Sequence, residues 1–154
     1  MTIENNSVSS QPTQVALKTI LLVDDDDAGR LLTKWFLGNF GFIVHASPGA
    51  NEALALFNPR IHDLVITDNS MPGMTGVEMA HIIKMRSPST PVLMHTSTLP
   101  ADRSCLDTLL QKPAGYPTLK AAVDRLLGLQ TPVPTAPLSQ ATSRTAPRPA
   151  RHAP

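Results

Sequence analysis

The chain has 154 residues, a hydrophobic fraction of 42% and a formal net charge of +1. That length and apolar content suit one folded domain with tails, and no apolar run approaches the ~18 residues a membrane-spanning helix needs. The near-balanced charge excludes a basic nucleic-acid-binding surface on the folded part: residues 18–128 hold ten basic against eleven acidic side chains, while residues 129–154 hold Arg144, Arg148 and Arg151 and no acid.

The opening MTIENNSVSSQPTQ lacks the basic start and apolar middle of a secretory leader, and residues 1–17 read as a disordered segment. Thr19–Val23 is a short apolar run ended by four aspartates, a buried strand. Asp27–Phe40 carries Leu31, Leu32, Trp35, Phe36 and Phe40 at helical spacing, which assigns that stripe to the core; Asp27 is its N-cap and Gly41 its stop. Phe42–Ala46 is a second strand. Pro48–Phe57 is a helix turning Ala53, Leu54 and Phe57 inward, and Asp63–Thr67 is a third strand ended by Asp68. Thr75–Arg86 is a helix on Val77, Ala80, Ile82 and Ile83. Pro91–His95 and Thr108–Gln111 are the fourth and fifth strands, and Tyr116–Leu127 closes with a helix on Leu119, Val123, Leu126 and Leu127. Six of the fifteen prolines lie in residues 129–154, whose Thr, Ala and Ser filling cannot offset the entropy of ordering, so this tail reads as disordered.

Strands alternating with helices imply a mostly parallel sheet covered on both faces. The single cysteine, Cys105, cannot form an internal disulfide; it fits a reducing cytoplasm and a packing role. His45, His62, His81, His95 and His152 show no paired ligand spacing, so no zinc site is read.

In an open parallel sheet, ligands bind outside the carboxyl ends of the strands. Those ends carry Asp24 and Asp25, Asp68, Thr96 and Ser97, and Lys112. Clustered carboxylates repel unless a cation sits among them, and a hard divalent cation such as Mg²⁺ takes oxygen ligands. A metal, the Lys112 ammonium and the Thr96 hydroxyl could share the charge of a phosphoryl group transferred to a carboxylate.

Four stretches, in this order and spacing, carry a resemblance: ILLVDDD, LVITDNSMPGMTGVEM, PVLMHTS and LLQKP. Residues 18–128 resemble the receiver domain of two-component response regulators, an α/β fold of the flavodoxin-like, doubly wound kind with five parallel strands in the order 2-1-3-4-5. The resemblance implies Asp68 as phosphoacceptor, Asp25 as a direct Mg²⁺ ligand, Asp24 acting on the metal through water, and Ser70 giving its backbone carbonyl. It also implies Thr96 as the switch hydroxyl, Lys112 paired with the phosphoryl group, and a cis Lys112–Pro113 bond. Asp26 has no such part and reads as a rim charge. The implied partners are a sensor histidine kinase or histidine phosphotransfer protein and a downstream protein, with no direct nucleic acid and no membrane, since no helix-turn-helix and no second catalytic domain follows residue 128.

Two positions depart from the family. Leu109 stands three before the lysine, where the family keeps an aromatic switch residue. The 97–107 connection is short and opens with STLP, so the fourth helix is expected to be shortened or absent. Two alternatives follow: a pseudo-receiver that keeps the fold without phosphorylation, and a haloacid-dehalogenase-like phosphohydrolase using Asp24-x-Asp26, which has Ala28 where that family has Thr or Val.

Overall fold

The computed structural model describes residues 17–129, so the disordered segments read at the two termini lie, but for Leu17 and Leu129, outside the described residues. The order of elements is β1 (Thr19–Val23), α1 (Asp27–Asn39), β2 (Ile43–Ser47), α2 (Ala50–Leu56), β3 (Leu64–Thr67), α3 (Gly76–Arg86), β4 (Val92–Thr96), β5 (Thr108–Gln111) and α4 (Tyr116–Leu126). The five strands form one parallel sheet in the order β2-β1-β3-β4-β5, as the sequence leads one to expect.

Successive strand residues face opposite sides, and both sides are covered. Leu21, Val23, Val65 and Val92 pack under α2 and α3 with Ala53, Met79, Ala80 and Ile83. Ile20, Leu22, Leu64, Ile66 and Leu93 pack on the other face with Leu37 of α1 and Leu119 and Val123 of α4. Cys105 joins the first cluster, and burial pushes its thiol up from the ordinary range, so it is a packing residue.

α1 departs from its sequence reading. Thr33 and Leu37 are its buried residues, while Leu31 (70% exposed), Leu32 (49%) and Trp35 (66%) face outward. Helical spacing identifies a stripe but not which side meets the sheet. Here Phe36 stacks on Tyr116 of α4 with ring centroids 4.5 Å apart, and Phe40 lies under the Lys120 ammonium at 4.9 Å. These side-on contacts to α4 turn Leu37 down onto the strands and Trp35 away from them.

The N-cap of α1 is Asp26, not Asp27. Asp26 has extended backbone angles and its side chain accepts from the Gly29 amide at 2.9 Å, while Asp27 is already in the helix and pairs with Arg30. α3 opens on a capping box between Thr75 and Glu78. The chain passes from β4 to β5 through residues 97–107 without a helix, so the fourth helix of the expected fold is absent here.

Candidate functional site

The rim at the carboxyl ends is built by the ladder itself. Asp24 follows β1 and its amide donates to Ser47 O at 3.2 Å; Asp68 follows β3 and its amide donates to Val23 O at 2.9 Å. Lys112 follows β5 and its amide donates to Thr96 O at 2.8 Å. Parallel pairing therefore sets the three charged side chains and Thr96 level with one another.

The loop after Asp68 needs two glycines for separate reasons. Gly73 has φ +81°, a left-handed conformation that L side chains avoid. Gly76 opens α3 against the strand end, where a Cβ would meet the Asp68 carbonyl oxygen at 2.0 Å. The M-P-G-M-T-G run of residues 71–76 is thus the sequence form of a helix docked directly on the Asp68 backbone.

Both oxygens of Asp68 are engaged. Oδ1 accepts from the Thr96 hydroxyl at 2.7 Å, from the Ser70 amide at 3.2 Å and from the Asn69 amide. Oδ2 accepts from Lys112 Nζ at 3.0 Å, and the same ammonium donates to Asp24 Oδ2 at 2.9 Å. Burial alone would favour the neutral acid, but the Thr96 and Lys112 hydrogen bonds outweigh it and hold the Asp68 carboxyl below its ordinary value. Burial likewise opposes the charge on Lys112, and its bonds to Asp24 and Asp68 overcome this and push its pKa up.

Asp24 is buried, Asp25 exposed and Asp68 half-buried, and one carboxylate oxygen from each lies within 4.8 Å of the others. One ammonium cannot balance three carboxylates. An all-oxygen, triply anionic donor set of this span fits a hard divalent cation such as Mg²⁺, which keeps water or phosphate oxygens in its other positions. Ser70 sits at the exposed exit of β3 beside this cluster.

The residues read from the sequence (Asp24, Asp25, Asp68, Ser70, Thr96 and Lys112) thus come together, and the Lys112–Pro113 bond is cis. Three participants were not read. Arg30 donates to the Asp24 carbonyl at 2.7 Å, placing a cation at the rim; its i, i+3 spacing from Asp27 is the signal in the sequence. Asn69 accepts from the Val77 amide through Oδ1 at 3.3 Å and ties the loop after Asp68 to α3. His95 lines a cleft with Asp24, Lys112 and Tyr116, and its Nε2 is buried without a hydrogen-bond partner. Burial, and next the Lys112 charge, lower its pKa. Position 95 in an apolar strand gives no sign of this.

A family model described as the response regulator receiver domain matches residues 20–124. The chain is 29% identical over 114 residues to the two-component response regulator PhoP of Pseudomonas aeruginosa, across 70% of this chain and 51% of PhoP. It is 27% identical over 119 residues to the aerobic respiration control sensor protein ArcB of Escherichia coli, across 72% of this chain and 15% of ArcB. It therefore spans about half the length of the first and a small part of the second. Among solved structures, the response regulator protein TrrA from Thermotoga maritima, in complex with Mg(2+)-BeF, is similar with TM-score 0.67 at 30% identity, covering 72% of this chain and 100% of that one. A receiver domain protein from Clostridium thermocellum is similar with TM-score 0.68 at 27% identity, covering 73% and 95%.

Proposed function

The chain belongs to the response regulator receiver domain family, and on that premise we propose that residues 18–128 take a phosphoryl group onto Asp68 from a phosphohistidine donor, a sensor histidine kinase or a histidine phosphotransfer protein. The observation that carries this is the Asp68 side chain itself, held as an anion between the Thr96 hydroxyl and the Lys112 ammonium with two further carboxylates alongside.

In this reading an Asp68 oxygen attacks phosphorus, the O–P bond forms, and the bond from phosphorus to the donor nitrogen breaks. Asp25 and Asp68, the Ser70 carbonyl, and Asp24 through water would hold Mg²⁺. The ion would neutralise charge on the phosphoryl oxygens and bring them to the acceptor. Lys112 turns from the carboxylates to the transferred group, and Thr96 donates its hydroxyl to a phosphoryl oxygen. The domain signals; its chemistry is its own phosphorylation and loss of that group.

A protein donor needs a place to dock, and α1 offers one beside the rim. Leu31, Leu32 and Trp35 expose apolar surface one to two turns from Asp27. Output passes through contacts with a downstream protein, not through nucleic acid, in keeping with the slightly acidic balance of residues 18–128. Among the described residues no helix is long and apolar enough to cross a membrane. The reading places the protein in the cytoplasm, where such donors reside.

The test is labelling with a small acyl-phosphate donor and Mg²⁺. A base-labile adduct on Asp68, abolished by Asp68→Asn, supports the proposal. A label that moves with Asp24 points to phosphohydrolase chemistry, and no label at all points to a pseudo-receiver; either would overturn it.

A further inference from the structure

Two histidines 17 residues apart meet well away from the acidic rim. His45 is exposed on the edge strand β2, His62 is buried in the turn that leads into β3, and their Nδ1 and Nε2 atoms lie 2.9 Å apart. His62 Nδ1 accepts from the Asn58 amide at 3.1 Å. A nitrogen that accepts carries no proton, so the proton of the neutral His62 ring is on Nε2 and is donated to His45 Nδ1. The His62 ring also lies nearly parallel to Phe57, with centroids 6.1 Å apart.

This chain of bonds closes the 58–62 turn. Asn58 O accepts from the amides of Ile61 at 3.0 Å and His62 at 2.8 Å, and its side chain accepts from the Arg60 amide at 2.9 Å. An added proton has no place in the closed arrangement. On His62 Nδ1 it would face the Asn58 N–H; on His45 Nδ1 it would face the His62 N–H. The nearby acid Asp63 favours the charge, but it already accepts from Lys18 Nζ and from the Thr19 amide, both at 2.8 Å, and burial and the neighbouring His45 outweigh it. Arg60, the remaining charged group of the turn, is exposed. A metal on His62 Nε2 meets the same obstacle, since it would force the ring proton onto Nδ1.

We propose that the His45–His62 pair is an acid-sensitive latch, which holds the 58–62 turn and the entry to β3 closed only while the buried His62 ring is neutral. Opening would uncover the face of Phe57 next to Leu56 and Ile61, which are already half exposed. The corner would then become an apolar surface in acid.

The direction follows from linkage. Burial, then the neighbouring His45, lowers the His62 pKa in the closed state below its ordinary 6.5. Above about 6.5 neither state gains a proton and the latch is fully stable. As pH falls below that value the open turn binds a proton on His62 that the closed one excludes. The opening constant then rises about tenfold per pH unit, the slope of one proton.

Amide exchange followed by NMR from about pH 7.5 to about 5.5, expressed as protection so that intrinsic exchange chemistry cancels, reads this directly. Protection at Asn58 and His62 is expected to fall steeply with acid while Val65 and Ile66 keep theirs. His45→Gln, at an exposed position, leaves His62 in place and should keep a one-proton slope. His62→Asn, which keeps an oxygen to accept from the Asn58 amide and has no titrating ring, should flatten it. Zinc or nickel at neutral pH should leave Asn58 unchanged. A flat wild-type profile, a slope unaltered in His62→Asn, or a metal-dependent change at Asn58 would each overturn the proposal.

Discussion

The Thr96 hydroxyl donates to Asp68 Oδ1 at 2.7 Å, from a residue 28 positions later in the chain and on the neighbouring strand. The Thr96 hydroxyl oxygen in turn accepts from the Thr98 amide at 3.2 Å. Asp68 is thereby tied to the start of the 97–107 segment, which stands where a helix would otherwise cross.

That tie makes the segment the natural readout, because Leu109 offers no aromatic ring to swing. Of its amides, only Thr98, Ser104, Leu106 and Asp107 find a protein acceptor, and its side-chain ties to side chains of α3 are the His81–Asp102 contact at 2.8 Å and the Lys84–Asp107 ion pair at 2.7 Å. Amide exchange across Ser97–Asp107 is expected to be fast in the free protein and to slow at least about tenfold with Mg²⁺ and a beryllofluoride mimic. Thr96→Ala should remove that slowing while leaving Asp68 open to labelling. Protection equal to that of β3 before activation would rule this out.

The acidic cluster should behave as a metal site held together against its own repulsion. Asp25→Ala removes an exposed carboxylate from the three that converge. Mg²⁺ affinity should drop roughly tenfold to a hundredfold by titration calorimetry. Without metal, the variant should melt slightly higher than the wild type, since like charges have been reduced. Equal Mg²⁺ affinity in the two proteins would contradict the assignment.

His95 Nε2 is buried without a partner, and leaving such an atom unpaired costs about 1–3 kcal/mol. Replacing the ring by an apolar side chain of similar bulk, His95→Leu, should therefore stabilise the apo protein by about 1 kcal/mol in chemical denaturation. A loss of stability would mean that the nitrogen is paired in solution.

The outward face of α1 separates the two kinds of donor. Trp35→Ala truncates a side chain that is 66% exposed, so folding stability should change by less than about 0.5 kcal/mol. Transfer from a phosphohistidine protein should slow by about tenfold, a loss typical of a docking anchor. Labelling by a small acyl phosphate should be unchanged. Equal slowing with both donors would place the effect at Asp68 instead of at a docking face.

Much of this protein was legible in one dimension. Aspartates that end apolar runs, a lysine before proline and the glycine-punctuated loop after Asp68 are local signals, and alternation of strand and helix dictates where a parallel sheet collects its strand ends. Strand positions were read to within a residue or two because buried parallel strands are continuous apolar runs. What the sequence could not decide were choices between equivalent local options. Asp26 and Asp27 are both competent caps, and only the path of the chain leaving β1 brings Asp26 within 2.9 Å of the Gly29 amide. The apolar residues of α1 suit either face, and packing of Phe36 on Tyr116 from the far end of the domain selected Leu37 for the core and left Trp35 in solvent. His45 and His62 had no spacing to announce them, because their meeting depends on β2 lying beside β1 and on a turn folding back beneath it. Periodicity records burial along one element; contacts between elements are set by how the whole sheet closes.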